Sequence, residues 1–250
     1  MQEKLYWGKF KGTAIRNVPN ILTMGNLFLG MLALLYLLDK RYELSISLIL
    51  IAMVLDGLDG KIATTLKVES ELGKQLDSLC DLVSFGVVPA VIIYSISLSQ
   101  FGFIGFIVAA LFPLAGAYRL AKFNLGLSSG PGFTGLPITV AGGTLAALAL
   151  HSIFYLTWIA PIFTFLLALL MVSKVKYPAI KKGEQERNSF LFIIFYTGIL
   201  SFIFFVIFRR EVIFYFLLSY IVFGILSRIY LKIKSREEAP CSLTSDSIGN

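Results

Sequence analysis

The least expected stretch of this chain is DGLDGKIATTLKVESELGKQLDSLCD, which runs from Asp56 to Asp81. It contains aspartates at positions 56, 59, 77 and 81, although 57% of the 250 residues are hydrophobic and only 15% are charged. A soluble domain carries about 25% charged residues, so this composition indicates an integral membrane protein. Each carboxylate in a hydrocarbon environment costs about 2.5 to 3.5 kcal/mol. Several carboxylates in one apolar stretch therefore predict a functional site.

The aspartates form two pairs, and the spacing within each pair predicts that its members share one face of a helix. Asp56 and Asp59 are three positions apart, and Asp77 and Asp81 are four apart. The polar segment 64–74 predicts a turn that brings two antiparallel helices together. Like charges this close cannot all stay ionised without a cation. Oxygen ligands in that number suit Mg²⁺ or Mn²⁺.

The apolar segments predict an all-α fold, a polytopic membrane helix bundle with about eight transmembrane helices. Each predicted span approaches the length of about 20 residues that crosses a bilayer. In chain order the spans cover residues 18–38, 44–63, 73–98, 101–123, 135–150, 155–173, 190–208 and 212–231. The two cysteines, Cys80 and Cys241, form no CxxC pattern and suggest neither a disulfide framework nor a zinc site.

Lysine and arginine are distributed unequally between the loops. They concentrate before span one, after span two, at the end of span four, after span six and in the tail, whereas the loops after spans three and five contain neither. Only Lys40–Arg41 and Arg209–Arg210 disagree with this pattern. Because cytoplasmic loops carry the excess of positive charge, we expect a multi-pass protein of the cell (inner) membrane, with both termini and the aspartates on the cytoplasmic side. The net charge is +7, but the basic residues lie between apolar spans and form no continuous basic patch, so no nucleic-acid partner is expected.

The aspartates belong to a longer pattern, D-x2-D-G-x2-A-x9-G-x3-D-x3-D. It is read from Asp56, Asp59, Gly60, Ala63, Gly73, Asp77 and Asp81. The pattern resembles the motif of the CDP-alcohol phosphotransferase family, whose members transfer a phosphatidyl group from a CDP-lipid to an alcohol. Other stretches resemble one branch of that family, the bacterial CDP-diacylglycerol–serine O-phosphatidyltransferases. These stretches are PNILTMGNLFLG (19–30), LDSLCDLVSFGVVPA (76–90), YRLAKFN (118–124), FTGLPI (133–138) and MVSKVKYP (171–178).

The resemblance implies a metal-dependent enzyme that makes phosphatidylserine and CMP from CDP-diacylglycerol and L-serine. It assigns Asp56, Asp59 and Asp77 as the core ligands of two Mg²⁺ or Mn²⁺ ions. Asp81 is expected to contact metal and to act as the general base for the serine hydroxyl. The family is often dimeric, so a homodimer among membrane lipids is expected.

Composition and the resemblance together divide the chain into four parts. Residues 1–17 are expected to form a cytoplasmic N-terminal segment, and residues 18–174 the catalytic helix bundle. Residues 175–232 are expected to form a basic loop and two additional helices. A disordered cytoplasmic tail, 233–250, is expected to follow.

Two sets of substrate-binding residues are predicted around the motif. For the CDP-lipid they are Asn26, Asp59, Gly60, Ala63, Thr64, Lys67 and Gly73. For the acceptor they are Arg119, Lys122, Asn124 and Ser84. One position departs from the family, which usually has Arg where this chain has Thr64. We hypothesise that Lys61 or Lys67 takes over its role in holding the CDP-lipid.

Other interpretations of the same residues remain open at the level of sequence. The acceptor could be glycerol 3-phosphate, inositol phosphate or another alcohol, and the donor an archaeal ether lipid. A different class, a divalent-cation transporter, would use the aspartates as its ion site. It would need polar residues across the membrane, and spans two and three have almost none. The aspartates could also form ion pairs with Lys61, Lys67 and Lys74, and positive-inside anchoring could explain Arg119 and Lys122.

Overall fold

The computed structural model describes residues 2–66, 68, 70–126, 133–150, 153–173, 175–177 and 212–237. The predicted span at 190–208, most of the basic loop after span six, the tail beyond 237 and Lys67 lie outside the described residues. Predictions about them stay predictions.

The described chain is helical apart from one short pair of strands. The helices are α1 (Gln2–Leu38), α2 (Tyr42–Leu66), α3 (Glu71–Asp81), a π-helix (Leu82–Val87), α4 (Val88–Ile96), a 3₁₀-helix (Leu98–Phe101), α5 (Gly102–Asn124), α6 (Ile138–Leu148), α7 (Ile153–Val172) and α8 (Val212–Glu237). Strands β1 (Phe133–Thr134) and β2 (Lys176–Tyr177) pair antiparallel, with Phe133 opposite Tyr177. The predicted all-α class is therefore confirmed.

Three helical segments among the described residues are long and apolar enough to cross a membrane: Val18–Leu38, Glu71–Ile96 and Leu98–Asn124. Helix α2, with 25 residues, is also long enough to cross a membrane. It differs from these three segments because it carries the charged residues Asp56, Asp59 and Lys61. Helix α6 has 11 residues, which at 1.5 Å each give about 16 Å, short of the roughly 30 Å of a hydrocarbon core. The apolar helices fit a membrane protein, and the number of eight spans stays a prediction.

Two helices extend beyond the boundaries expected from hydropathy. Helix α1 begins at Gln2, so the polar segment 1–17 continues into the first span as one helix. Helix α8 runs to Glu237, which is a correction to the prediction that disorder begins at 233. The physical reason is that Lys, Arg and Glu are good helix formers, so a helix need not end where its apolar segment ends.

The core of the bundle lies where α2, α4 and α6 meet. Ile49 on α2, Ile92 on α4 and Leu145 on α6 are each 0% exposed. Helix α1 packs along α2 and also contacts α3, and α5 packs against α7. The outer face of α5 carries exposed apolar side chains such as Phe103 and Phe106, as expected of a surface that faces lipid.

Two glycines allow close backbone contacts at α6. Gly135, just before the helix, has a φ of +85°, a conformation that favours glycine. A side chain at Gly142 would collide with the backbone carbonyl of Phe85 in the π-helix. Helix α6 therefore lies directly against the segment that follows Asp81.

Candidate active site

Three of the four aspartates meet in space. One carboxylate oxygen from each of Asp56, Asp59 and Asp77 lies within 4.8 Å of the others. Asp59 is 3% exposed, and the other two are half-buried. Helix α2 supplies two of these side chains and α3 supplies the third, so the i,i+3 spacing places Asp56 and Asp59 together as the sequence predicted.

Asp81 lies beside this cluster and is not one of its three members. Its side chain is buried and lies within reach of the Asp56 carboxylate. The Asn26 side chain in α1 donates from Nδ2 to Asp81 Oδ1 at 3.3 Å. The second carboxylate of α3 therefore contacts Asp56 from a more enclosed position than Asp77.

Helices other than α2 and α3 also contribute hydrogen-bond donors. Thr23 Oγ1, on α1, donates to Asp59 Oδ2 at 2.7 Å. Thr139 Oγ1, on α6, donates to Asp56 Oδ2 at 3.1 Å. Sequence reasoning missed both threonines. The first apolar span has polar residues at positions 20, 23 and 26, three residues apart. Because buried polar side chains need hydrogen-bond partners, this pattern could have indicated that Thr23 faces the site. Thr139 has no comparable signal.

The motif glycine Gly73 lies where α3 approaches α1. An added Cβ there would come within 2.9 Å of Asn20 Oδ1. The backbone N–H of Gly73 donates to Ser70 Oγ at 3.0 Å, which caps the N-terminus of α3. The small size of Gly73 thus serves helix packing, and Asn20 joins the residues around the site that sequence reasoning did not identify.

The opposite edge of the cluster is open. Gly60 is exposed, and an added Cβ there would meet nothing within 4 Å. Ala63 is half-buried and Thr64 is exposed, with the Thr64 hydroxyl donating to the Gly60 carbonyl at 3.0 Å. Lys61 is exposed on the same helix. The small motif residues Gly60 and Ala63 therefore border free space beside Asp59.

The side-chain amide of Asn124, at the end of α5, forms hydrogen bonds with α3. Asn124 Nδ2 donates to Ser78 Oγ at 3.0 Å and to Gln75 Oε1 at 3.2 Å. Lys74 Nζ donates to the Asn124 carbonyl at 3.2 Å and lies 5.9 Å from the centre of the Phe123 ring. Lys74 therefore faces α5, which argues against its having the ion-pair role considered above.

The remaining predicted acceptor residues differ in their surroundings. Ser84 is buried in the π-helix and donates to the Asn26 carbonyl at 3.2 Å. Arg119 on α5 is half-buried and interacts electrostatically with Asp81 and with Tyr220 of α8. Lys122, one turn further along α5, is also half-buried.

Two buried polar atoms have no hydrogen-bond partner in the described chain. They are the amide oxygen Oδ1 of Asn26 and Nε of Arg119. Buried polar groups are almost always paired, so a donor and an acceptor without partners indicate a place for a polar ligand.

The donor set of the cluster fits a hard divalent cation. Mg²⁺ and Mn²⁺ prefer carboxylate oxygens. Oxygens bound to one Mg²⁺ at about 2.1 Å can be no more than about 4.2 Å apart. The spacing within 4.8 Å in this cluster is close to that limit, so small side-chain movements would suffice to bind an ion.

A family model described as CDP-alcohol phosphatidyltransferase matches residues 16–226. The chain belongs to this family. The predicted resemblance is confirmed, and the match extends into α8, beyond the six spans in which the sequence motifs occur. Members of this family are transferases and in general depend on metal, so this chain is a transferase whose acidic cluster could bind metal.

Named relatives fall within the same family. The CDP-diacylglycerol–serine O-phosphatidyltransferase of Bacillus subtilis is 40% identical over 170 residues, which cover 68% of this chain and 94% of that protein. The Helicobacter pylori J99 protein of the same name is 34% identical over 226 residues, 86% of this chain and 92% of its own. The archaetidylserine synthase of Methanothermobacter thermautotrophicus is 37% identical over 172 residues, 68% of this chain and 73% of its own. None of these names supports the transporter interpretation.

Proposed function

We propose that this protein transfers the phosphatidyl group of CDP-diacylglycerol to the hydroxyl group of L-serine. The serine oxygen forms a bond to the β-phosphorus, the bond from that phosphorus to the bridging oxygen of CMP breaks, and the hydroxyl proton passes to a base. The products are phosphatidylserine and CMP. The observation that carries the proposal is the cluster of Asp56, Asp59 and Asp77 in a family whose named bacterial relatives are serine O-phosphatidyltransferases.

Asp56, Asp59 and Asp77 are the proposed ligands of Mg²⁺ or Mn²⁺, with two ions as the expected number. Such ions neutralise the diphosphate and stabilise the leaving CMP. The protein's part is to hold the carboxylates together at the end of α2 and the beginning of α3. The enclosed position of Asp59 supports this role, because a buried carboxylate needs a positive partner.

Asp81 is the proposed general base. It lies beside the three ligands, close to the Asp56 carboxylate. In that position it could accept the proton of a serine hydroxyl that approaches the β-phosphorus, and it could also contact metal. General-base catalysis contributes about 10²- to 10⁴-fold in rate.

Serine would supply hydrogen-bond partners for the two buried atoms that lack them. Its carboxylate would accept from Arg119 Nε, and its ammonium group would donate to Asn26 Oδ1. Ser84 supports Asn26 through its hydrogen bond to the Asn26 carbonyl. Lys122 adds positive charge on the same side of α5, and Asn124 holds the end of α5 against α3. A charge-assisted hydrogen bond to Arg favours an acceptor that carries a carboxylate.

The CDP-lipid would lie along the open edge of the cluster. Gly60 leaves space there, and the remaining proposed contacts along it are Asp59, Ala63, Thr64, Lys67 and Gly73. Asn26, also a proposed CDP-lipid contact, lies on the enclosed side beside Asp81. Because Thr64 replaces the usual Arg, Lys61 or Lys67 would supply the missing positive charge. Lys61→Ala or Lys67→Ala should then raise the apparent KM for CDP-diacylglycerol. An unchanged KM in both variants would exclude this role.

The proposed setting is the cell (inner) membrane, crossed by eight helices, with both termini and the active site on the cytoplasmic side. The support is the excess of Lys and Arg at the two ends and in alternate loops. A homodimer is proposed on the family resemblance, and its measurement is the mass of the purified protein in detergent by light scattering. A monomeric mass would contradict it.

An ether-lipid donor is the second candidate. The observation that favours it is the 37% identity to an archaetidylserine synthase. The reaction at phosphorus would be the same, and only the hydrocarbon chains of the donor would differ.

The test is CMP release by the purified protein in detergent. Each reaction contains CDP-diacylglycerol or CDP-archaeol, Mg²⁺ or Mn²⁺, and one of L-serine, glycerol 3-phosphate or inositol phosphate. Release with serine alone is expected, and the faster donor decides between the two candidates. Release with another alcohol would overturn the acceptor assignment while keeping the chemistry. Absence of release under every condition would overturn the proposed function.

A further inference from the structure

Helix α6 reaches the acidic cluster through one side chain. Thr139, in its first turn, donates a hydrogen bond from Oγ1 to Asp56 Oδ2 at 3.1 Å. The two residues are 83 positions apart in sequence. Neither the motif nor the proposed roles account for this contact.

The contact is held in place by the packing of α6 on α2. An added Cβ at Gly143, one turn after Thr139, would lie 2.7 Å from Sδ of Met53, which is one turn before Asp56. The two helices therefore run antiparallel in a register that pairs Thr139 with Asp56 and Gly143 with Met53. The register depends on helix packing and does not come from the hydrogen bond alone.

The same helix is also held against the segment after Asp81. Gly142 contacts the backbone of Phe85 so closely that a side chain would not fit. Thr139 thus belongs to a helix in contact with both α2 and the π-helix, and its hydroxyl is positioned by backbone packing.

We infer that Thr139 is a positioning residue that fixes the orientation of the Asp56 carboxylate for metal binding. The inference rests on the proposed function only in taking Asp56 as a metal ligand. A hydrogen bond to Oδ2 restricts rotation of the carboxylate and so fixes the directions from which its oxygens can bind an ion. Groups that orient metal ligands in this way typically change metal affinity about 10- to 100-fold.

Three variants separate the hydroxyl from the packing. Thr139→Val keeps the shape and removes the donor, whereas Thr139→Ser keeps the donor. The matched control is Thr144→Val on the same helix, because Thr144 is 0% exposed and its hydroxyl donates to the Val140 carbonyl of its own helix, at 2.7 Å.

The measurement is Mn²⁺ binding to the purified protein in detergent, from the electron paramagnetic resonance signal of free Mn²⁺, without CDP-lipid or serine. We expect Thr139→Val to weaken Mn²⁺ binding about 10- to 100-fold, and the Ser variant and the Thr144 control to bind like the native protein. Native affinity in Thr139→Val, or an equal loss in the Ser variant, would overturn the inference. Because no substrate is present, a wrong acceptor or donor assignment leaves this result unaffected.

A double variant guards against a general loss of structure. In an Asp56→Asn background, Thr139→Val should cause no further loss of Mn²⁺ affinity, because the carboxylate that Thr139 orients is already gone. A further loss of the same size as in the native background would mean that Thr139 acts through the stability of the bundle, and the inference would fail. Thermal unfolding of each variant identifies any that does not fold. If Thr139→Val does not fold, Thr139→Ala, which also lacks the hydroxyl, replaces it in both backgrounds.

Discussion

The four aspartates look equivalent in the sequence, yet each has different surroundings in the fold. Asp59 accepts a hydrogen bond from Thr23, Asp56 from Thr139 and Asp81 from Asn26. None of the hydrogen bonds found in the described chain reaches Asp77. Its carboxylate is therefore the one most available to an ion, whereas each of the other three accepts a hydrogen bond from another helix.

This difference predicts distinct defects for two substitutions on α3. Asp77→Asn should weaken Mn²⁺ binding strongly, because it removes a proposed ligand. Asp81→Asn should lower kcat by about 10²- to 10⁴-fold and change Mn²⁺ affinity much less. Mn²⁺ titration and CMP release by the same preparations check both. Equal losses of Mn²⁺ affinity would make Asp81 a ligand of the same rank as Asp77.

Arg119 gives a prediction about the acceptor. Arg119→Gln should raise the KM for serine about 10- to 100-fold, because a hydrogen bond to a charged group contributes about 1.5 to 3 kcal/mol. The KM for CDP-diacylglycerol should stay within a few-fold. Arg41→Gln, an exposed arginine in the loop after α1, serves as the control. A rise in the KM for the lipid alone would assign Arg119 to the donor.

At the scale of elements, α1 is the helix whose role hydropathy did not reveal. It was predicted as a membrane span, and it also contributes Thr23 and Asn26 to two of the carboxylates. Helix α1 packs along α2 and contacts α3. Helices α2 and α3, which carry the aspartates, are therefore both held by α1, which carries none of the four.

The contact of α6 with the π-helix gives a prediction about stability. Gly142→Ala should lower the free energy of unfolding by about 1 to 3 kcal/mol, because the added methyl group overpacks against the Phe85 carbonyl. Gly57→Ala is the matched control, since Gly57 is helical, exposed and has nothing within 4 Å of an added Cβ. There, alanine should be neutral or stabilising by about 0.5 to 1 kcal/mol. Thermal unfolding in detergent measures both, and equal effects would contradict the close packing of α6.

The whole molecule has an orientation that its own cysteines can report. Cys80 is 0% exposed, so a membrane-impermeant maleimide should react only with Cys241 in the tail. If the tail is cytoplasmic, Cys241 should be labelled in inside-out vesicles and protected in right-side-out vesicles. A Ser99→Cys variant with Cys241→Ser, which moves the thiol to the exposed turn after α4, should show the reverse. Labelling of both sites from the same side would refute the proposed orientation.

Several features of this protein follow from the sequence alone. They are the membrane setting, the all-α class, the family and the meeting of Asp56, Asp59 and Asp77. The reason is that they depend on local properties. Apolar composition determines the solvent that the chain prefers, and the period of a helix places residues three or four apart on one face. A pattern of 26 residues, from Asp56 to Asp81, is enough to indicate the family and the cluster, and the apolar composition of the whole chain indicates the rest.

Only the tertiary structure decided which side chains orient those carboxylates. Thr23 is 36 positions from Asp59, and Thr139 is 83 positions from Asp56. Contacts at such separations depend on the register in which helices pack, which here depends on small residues such as Gly142 and Gly143. That register results from the fit of whole surfaces. No short stretch of the sequence contains it, so the pairing of each donor with its carboxylate became visible only in the folded chain.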